Sequence, residues 1–364
     1  MIVYPNLNIL SCNDSNNCVT FVQDICSLFQ NIDIFYFPDY VSLFEFHGEG
    51  EAKLLIYYES PERIVIYPFI LRKINKISIF NNLSDELYDI ISPYGYTGYL
   101  RNNDQIDMNK FYSVFKSYCQ GNNIVSEFVR FNPFLENSAY APAEVAIQKW
   151  NDTVSIDISQ DEEMIWKDMS SERRNRIRKA INNDINIIED DNLKNLDEFC
   201  DIYYHTMNNV NAQQYYYFSK EWFNQLACNL KGKATLYHAM YNDSIIASAL
   251  MIYHKSVAHY YLGGTLYEMR KLEPFSLLLY RAAIGLKSKG FKFFNLGGGL
   301  SQNDSLFQYK AKFSKLKAKY YIAKNIFNKE IYQYLTLLRS AQEPQDNGEP
   351  YFPAYRVPTD ANRL

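Results

Sequence analysis

Two glycine-ended strands on either side of one helix start are the part of this sequence best suited to hold a ligand. A predicted strand, Ala258 to Leu262, ends in a Gly-Gly pair, and a second, Phe291 to Leu296, runs into three glycines. Pro274 opens a helix between them, with apolar residues at the 3.6-residue period. The two strands should therefore be parallel, with both glycine-bearing ends and the helix N terminus at one sheet edge. Phosphates and acyl carbonyls are commonly held at such an edge.

A run of arginines before this region could serve a second chemical purpose. The segment Ser171 to Ala180 holds four arginines and a lysine, and Arg174 and Arg178 share a helix face at i, i+4. One interpretation is a phosphate clamp, because guanidinium groups bind phosphate through two parallel hydrogen bonds. The other is a solvated helix face, balanced by Asp161, Glu172 and their acidic neighbours. Both interpretations stay open at the level of sequence.

Composition and charge restrict the possible functions. The 364 residues contain 47% hydrophobic and 21% charged residues, as in ordinary folded domains, but also 32 Tyr and 24 Phe. The net charge of −4 argues against general nucleic-acid binding, and no DNA partner is expected. Residues 1–150 carry 10 Lys and Arg against 17 Asp and Glu, whereas residues 151–364 carry 27 against 24. An anionic ligand therefore fits the second half of the chain better.

Several classes of protein are disfavoured. No apolar run of about 18 residues is present, so no membrane span is expected, and the N terminus lacks the pattern of a secretory signal. The six cysteines form no CxxC pair, and neither Cys/His zinc spacing nor HExxH occurs, so we expect reduced thiols and no metal. No G-x-S-x-G elbow is visible. These features predict a cytoplasmic protein without a covalent nucleophile.

The order of elements predicts an α/β protein with a mixed sheet and an internal repeat. A hairpin, a strand, a helix and a strand occur at about residues 50–132 and again at 233–296. We expect two similar units packed around a shared cleft, residues 1–150 and 151–340, followed by a Pro-rich tail, 341–364, that wraps the surface or is disordered. Met164 to Ile181 is predicted as one charged amphipathic helix.

Residues 185–326 have the order β–α–α–β–β–β–α–β–α–β, which resembles the GNAT acyltransferase fold. Two such units in one chain resemble the Fem family of peptidoglycan bridge-forming transferases and the related FemAB-like acetyltransferases of polysaccharide gene clusters. The likeness covers about residues 35–326 and is carried by an ordered set of motifs: DIISPYGYTG, SERRNRIRKA, FCDIYYHTMNNVNAQQYYYFS, YYLGGTL, NLGGG and SLFQYKAKF.

The resemblance implies transfer of an acyl or aminoacyl group to an amine. The expected acceptor is an amino-sugar nucleotide or a lipid-linked glycan precursor for surface polysaccharide, which would bring the protein near a membrane surface. Acetyl-CoA or another acyl-CoA is the expected donor. The alternatives are an aminoacyl-tRNA donor, the one case in which tRNA would be a partner, and a non-catalytic carbohydrate-binding protein on the same fold. The oligomeric state is left open.

The resemblance also implies site residues in the second unit. Lys310 matches the lysine of the family's aromatic–Lys motif, and we expect its ammonium to stabilise an oxyanion or a donor phosphate. It is otherwise one more lysine in a lysine-rich run. Asn295 could orient the amine. The donor is expected at Gly263, Gly264, Arg270, Lys271, Phe275, Ser276 and Leu277, although the glycine-rich basic loop typical of acetyl-CoA enzymes is replaced here by TLYEMRKLEP.

The acceptor is expected to contact aromatic and basic side chains. Tyrosine rings could stack on sugars or position a hydroxyl, and Gly298 would allow close approach to the backbone. The predicted substrate-binding residues are Tyr94, Tyr96, Arg174, Arg178, Tyr216, Tyr217, Gly298 and Tyr309. The second unit should bind the donor, and the first unit and the shared cleft the acceptor.

Overall fold

The computed structural model describes residues 6–301, 304–342 and 351–357. The chain divides into two compact units, one formed by residues 1–150 with 320–364 and the other by residues 151–319. Both contain helices packed on a sheet with parallel and antiparallel pairs, so the predicted mixed α/β class is confirmed. None of the helices in the described residues is long and apolar enough to cross a membrane.

The elements are numbered in chain order. The strands are β1 (Leu7–Ser11), β2 (Glu51–Ser60), β3 (Arg63–Lys73), β4 (Tyr88–Ile91), β5 (Leu100–Arg101), β6 (Ile124–Arg130), β7 (Ile147–Asp157), β8 (Asn186–Asp190), β9 (Ala234–Tyr241), β10 (Ser244–His254), β11 (Val257–Thr265), β12 (Phe293–Gly297) and β13 (Lys317–Ile326). The α-helices are α1 (Ser15–Thr20), α2 (Pro38–Phe46), α3 (Met108–Gly121), α4 (Glu162–Asp168), α5 (Ser171–Asn182), α6 (Leu196–Asn209), α7 (Lys220–Asn229), α8 (Pro274–Ser288), α9 (Ser305–Ala311) and α10 (Lys329–Gln342).

The first unit has the strand order β1-β2-β3-β4-β6-β13. Its one parallel pair, β4 with β6, is joined by α3, and the other pairs in this order are antiparallel. Asp107 caps α3 by accepting hydrogen bonds from the amides of Asn109 and Lys110. The aromatic face of α3, with Phe111 and Phe115, packs in one buried cluster with rings of the sheet.

The second unit has the order β8-β9-β10-β11-β12-β7. Here β11 and β12 form the parallel pair, joined by α8, as the order of strand, helix and strand predicted. The apolar face of α8, including Leu278, Ala282 and Leu286, is fully buried. Gly290 follows the helix with a positive φ of 88°, a conformation that suits a residue without Cβ.

The two units have the same strand arrangement, but the last strand of each sheet does not directly follow its neighbouring strand in the order expected for two consecutive units. After β6 the chain continues into β7, which pairs with β12 of the second unit. After β12 it continues into β13, which pairs with β6 of the first unit. Strand β7, which follows β6 in the sequence, therefore completes the sheet of the second unit. Strand β13, which follows β12, completes the sheet of the first.

The predicted helix from Met164 to Ile181 is wrong, since two helices occupy this segment. Helix α4 ends at Asp168, and the chain is extended at Met169 and Ser170. The Ser170 hydroxyl then accepts a hydrogen bond from the Arg173 amide and starts α5. The spacing of apolar residues, on which the prediction was based, does not show where a side chain such as Ser170 caps a new helix.

Part of the predicted Pro-rich tail packs on the first unit. Helix α10 extends to Gln342, and Tyr355 is fully buried, with its hydroxyl bonded to Ser126 and Asp89. The Arg356 guanidinium donates to the same Asp89 carboxylate. Residues 343–350 and 358–364 of this tail lie outside the described residues.

Candidate active site

The parallel pair of the second unit opens towards its carboxyl end. Strands β11 and β12 pair from Val257 opposite Phe293 to His259 opposite Asn295. Beyond these residues β11 continues to Thr265 and β12 to Gly297, and the register between them ends. This opening lies at the carboxyl ends of parallel strands, where ligands are commonly bound.

The matching pair of the first unit stays joined. Thr97 forms a parallel bridge with Phe131, and the Ser92 hydroxyl accepts a hydrogen bond from the Arg130 amide. The Arg130 side chain also donates to the Ser92 carbonyl, at 2.6 Å. The two units therefore share a strand order but differ at the end of the parallel pair.

Lys310 fills part of the opening in the second unit. Its side chain is only 7% exposed, and its Nζ donates to the Gly298 carbonyl at 2.7 Å and lies 5.6 Å from the centre of the Tyr260 ring. Burial lowers the pKa of Lys310 to about 8, against a smaller opposing effect of the Asp304 carboxylate. The ammonium thus lies between the two strands where they separate, with the Gly298 carbonyl as its acceptor among the described residues.

Helix α9 brings Lys310 to this position because Asp304 holds the loop in front of it. The Asp304 carboxylate accepts hydrogen bonds from the amides of Leu300, Ser301 and Phe307. A Cβ on Gly299 would lie 2.1 Å from the same carboxylate, so this position accepts only glycine without rearrangement. The triglycine segment therefore allows the loop to close over the helix cap.

Asn295 is engaged within the sheet. Its Nδ2 lies 3.1 Å from His259 Nδ1, and its Oδ1 accepts a hydrogen bond from the Gly297 amide at 2.8 Å. The side chain is 2% exposed. Both polar atoms of the Asn295 side chain are thus bonded to residues of β11 and β12. To orient an amine, as predicted, Asn295 would have to act while it keeps these two contacts.

A carboxylate occupies the helix start at which a donor phosphate is predicted. Glu273 precedes α8 with a positive φ of 62°, and its carboxylate accepts hydrogen bonds from the Ser276 hydroxyl and from Arg176. Ser276 and Leu277 are buried, and Phe275 is half-buried. The charge of Glu273 opposes binding of a second anion at this helix start.

The Gly-Gly pair at residues 263–264 lies inside β11 and is filled by packing. A Cβ on Gly264 would lie 2.4 Å from Thr206 Oγ1 of α6, and one on Gly263 would lie 2.8 Å from the Ser248 carbonyl. These glycines let neighbouring elements approach the strand. Arg270 and Lys271 are exposed, with Arg270 stacked on the Tyr267 ring at 3.7 Å.

The two arginines of the predicted clamp contact the helix junction before them. Arg174 donates to the carbonyls of Lys167 and Met169 at the end of α4. Arg178 bonds to Asn175 and lies 5.2 Å from the centre of the Trp166 ring. These contacts tie α5 to α4.

The predicted aromatic residues lie in separate parts of the two units. In the first unit the Tyr96 ring packs edge-on against Phe35, and the carbonyl of Tyr94 accepts a hydrogen bond from Tyr40. In the second unit the Tyr217 hydroxyl bonds to Asn208, and the Tyr216 carbonyl accepts from Tyr203. Of the predicted acceptor residues, the structure brings Gly298 and Tyr309 next to Lys310.

Arg173 is a further residue of this site that the sequence analysis did not select. It is 1% exposed and contacts Tyr309, Phe313 and Ser276. Its spacing from Ile177 and Ala180, which are also buried, is the i, i+4, i+7 pattern of an inward helix face. That pattern was the available signal. Across residues 6–301, 304–342 and 351–357, no group of three His, Cys, Asp or Glu side chains is placed to hold a metal.

Comparison with known proteins identifies the domain around Lys310. Residues 171–311 match the family model "Acetyltransferase (GNAT) domain". No curated protein matches the sequence.

Solved structures share the fold at low sequence identity. FemX is 12% identical with a TM-score of 0.61, covering 90% of this chain and 99% of its own. A conserved protein of unknown function from Bacteroides thetaiotaomicron is 12% identical with a TM-score of 0.54, covering 87% and 98%. The C-terminal domain (DUF2156) of a putative lysylphosphatidylglycerol synthetase from Agrobacterium fabrum is 13% identical with a TM-score of 0.52, covering 86% and 93%. The predicted resemblance is confirmed: the second unit contains an acetyltransferase (GNAT) domain, and the chain shares the fold of FemX.

Proposed function

We propose that the second unit transfers an acyl group from an activated donor to an amine by direct attack. The observation that carries this proposal is the buried Lys310 ammonium at the opening between β11 and β12. Attack by an amine on a thioester or ester carbonyl produces a tetrahedral oxyanion. A charged donor held in a site with little water stabilises such an oxyanion by about 3 kcal/mol.

The residues at the opening suit a reaction without a covalent intermediate. The amine nitrogen forms the new C–N bond and loses a proton to water, while the C–S or C–O bond to the donor breaks. Lys310 contributes a hydrogen bond and a positive charge to the oxyanion and keeps its own proton. The backbone at Gly298 lies directly beside the ammonium, so the carbonyl carbon can approach closely.

A CoA thioester, most simply acetyl-CoA, is the proposed donor. GNAT domains generally use acyl-CoA, and the domain match covers the strands, α8 and α9 that form the opening. Arg270 and Lys271 are exposed beside the start of α8 and supply positive charge for the phosphates. Binding at Phe275, Ser276 and Leu277 requires the Glu273 carboxylate to turn away from the helix start.

An aminoacyl-tRNA donor is the second candidate, and two observations favour it. The Glu273 carboxylate at the start of α8 disfavours a pyrophosphate there. Lys315, Lys317 and Lys319 alternate along the chain around the start of β13 and are exposed, as contact with a phosphodiester backbone would need. This candidate predicts donor affinity that falls steeply with salt.

The proposed acceptor is the amino group of a nucleotide- or lipid-linked sugar used for a surface polysaccharide, in the cytoplasm. Tyr94 and Tyr96 are half-buried aromatic side chains of the first unit that suit contact with a sugar ring. Tyr216 and Tyr217 offer similar surfaces in the second unit.

Release of free thiol from acetyl-CoA in the presence of UDP- or dTDP-amino sugars tests the proposal directly. Thiol release that requires the amino sugar and is lost in Lys310→Met supports it. A thermal-shift screen with CoA, aminoacyl-tRNA and the sugar nucleotides identifies the donor, since a ligand at 100 times its Kd adds about 2.7 kcal/mol to the free energy of unfolding. Binding of sugars without any acyl transfer would instead indicate a non-catalytic carbohydrate-binding protein.

A further inference from the structure

Arg173 is a fully buried arginine without a carboxylate partner in the described residues. Its guanidinium carbon lies 4.0 Å from the centre of the Tyr309 ring and 4.3 Å from that of Phe313. Nη1 donates to the Ser276 hydroxyl, and Nη2 donates to the Tyr309 carbonyl at 2.9 Å. One side chain of α5 therefore contacts the start of α8 and the end of α9.

Keeping a charge in this position is costly. Burial lowers the pKa of Arg173, and its buried Nε has no hydrogen-bond partner among the described residues. An apolar side chain of similar size would join three helices at lower cost, because burying a charge without an ionic partner costs free energy that an apolar side chain does not. Packing alone therefore does not account for an arginine here.

Two contacts of Arg173 are made by Tyr309, the residue immediately before Lys310. The guanidinium face contacts the Tyr309 ring, and Nη2 donates to the Tyr309 carbonyl. Together these contacts restrict rotation of the last turn of α9 about the helix axis and its movement along that axis. The next side chain in that turn is Lys310, whose Nζ reaches the Gly298 carbonyl. A shift of this turn would move the ammonium away from the opening between β11 and β12.

We propose that Arg173 is a positioning residue that holds the Lys310 ammonium at the strand opening through Tyr309. This inference rests on the proposed function of Lys310. It adds that Arg173 of α5 keeps Lys310 in place. The planar guanidinium is essential to the role, because its plane stacks on the ring while two separate nitrogens donate in a fixed geometry, whereas an ammonium has no plane to stack.

A second contact between the same elements provides a matched control. Lys312, just past α9, forms an ion pair with Glu172, the neighbour of Arg173, at 2.6 Å. Both side chains are more than one-third exposed, and such surface pairs contribute little to stability. Glu172→Gln thus removes an α5 contact at the end of α9 while leaving Arg173 in place.

The test measures how fast each lysine of the full-length protein reacts with trace acetic anhydride at pH 8, by peptide mass spectrometry. In the wild type Lys310 should react slowly. In Arg173→Met we expect Lys310 to react about tenfold faster, because its local protection is lost, with the Lys312 rate unchanged. Glu172→Gln should accelerate only Lys312. Arg173→Lys should protect Lys310 incompletely.

Turnover gives the second readout. Arg173→Met should lower kcat by roughly 100-fold with little change in the KM for the donor, as expected when a reacting group is displaced by about 1 Å. The proposal is wrong if Lys310 stays protected in Arg173→Met, or if Lys310 and Lys312 become equally reactive. Should Arg173→Met not fold, wild-type protection of Lys310 in Arg173→Lys would equally refute it. If Lys310→Met retains turnover, the proposed role of Lys310 fails, whereas the labelling result for Arg173 still decides the positioning contact.

Discussion

The environment of Lys310 explains how one lysine among several can take part in chemistry. Lys312, Lys315 and their neighbours are partly or largely exposed, whereas Lys310 is buried between a backbone carbonyl and an aromatic ring. With a pKa of about 8, most Lys310 side chains are charged at pH 7 although they are buried. A desolvated charge acts more strongly on a developing oxyanion than the same charge in water.

Replacing Lys310 by methionine tests this at the residue scale. The change keeps most of the aliphatic stem and removes the charge, so we expect turnover to fall by roughly 100-fold or more, as when an oxyanion donor is lost, with donor affinity changed much less. Steady-state kinetics with separate donor-binding measurements check this.

Lys312→Met is the control, because its side chain lies on the surface beside Glu172. Wild-type turnover in Lys310→Met, or the same modest loss in both variants, would contradict the assignment.

Sequence and structure differ in what each reveals about single residues. The place of Lys310 after Tyr309 and a triglycine segment could be read from the sequence. The carboxylate of Glu273 at the start of α8 could not, because it depends on a left-handed backbone at that residue. Arg173 looked like one of several equivalent arginines, although its spacing from Ile177 and Ala180 places it on the inward face of α5 and Arg178 on the exposed one.

At the scale of elements, the short helix α5 links the arginine motif to the site. Ser170 starts this helix, which turns Arg173 inward and places Arg174 and Arg178 against the end of α4. Neighbouring arginines thus have different surroundings. A motif rich in arginine contains residues that bind the protein itself as well as residues available to a ligand.

The double variant Arg174→Ala with Arg178→Ala separates these roles. The contacts with Lys167, Met169 and Trp166 favour a role in holding the helix junction, so we expect the melting temperature to fall by a few degrees, equivalent to about 1 kcal/mol. The KM values should stay near wild type. Kinetics at two salt concentrations check this, because the phosphate-clamp alternative predicts weaker binding that depends on salt.

Strand β7 was missed by the sequence analysis for a physical reason. Its first residues are exposed, so it shows no regular inward and outward alternation over its length. Its pairing comes from β12, a neighbour distant in sequence. The hairpins β2–β3 and β9–β10 were predictable because their strands are apolar and closed by short turns.

At the scale of the whole molecule, the first unit keeps a carboxyl group in its core. Glu127 on β6 is completely buried, with hydrogen bonds of 2.8 Å from the Tyr99 hydroxyl and the Asn325 amide. Burial raises the pKa of Glu127 to about 7, although these hydrogen bonds lower it in part. The folded protein therefore retains a proton there that the unfolded chain loses at lower pH.

This proton predicts how stability depends on pH. The pKa of Glu127 is raised in the folded state. Its contribution to the free energy of unfolding is therefore fully present below the unfolded pKa of 4.5 and is lost as the pH rises towards 7. Glu127→Gln carries no charge, so its stability relative to wild type should increase over this range, by about 3 kcal/mol in total. Denaturant unfolding at a series of pH values measures the difference.

Glu144→Gln is the control, because Glu144 is exposed and paired with Lys116. Its stability relative to wild type should change little over the same pH range. A constant difference for Glu127→Gln would show that the core carboxyl is not protonated in the folded protein.

The two units also differ at the carboxyl ends of their parallel strand pairs. In the first, Thr97, Phe131 and the Arg130–Ser92 contacts join the chain beyond β4 to β6. In the second, pairing ends at His259 and Asn295, and Lys310 lies in the opening. One strand order thus gives one closed and one open sheet edge.

We therefore expect one donor to bind per chain, in the second unit. Titration calorimetry of the full chain with CoA should give a stoichiometry of one, and Lys310→Met should keep that stoichiometry, since the charge acts mainly on the reacting carbonyl. Arg270→Ala with Lys271→Ala should weaken CoA binding, because two exposed cations beside α8 are removed. Lys73→Ala with Lys76→Ala removes the same number of positive charges from the first unit and should leave CoA binding unchanged. A stoichiometry of two, or equal losses from both pairs of substitutions, would show that the closed edge also binds a donor.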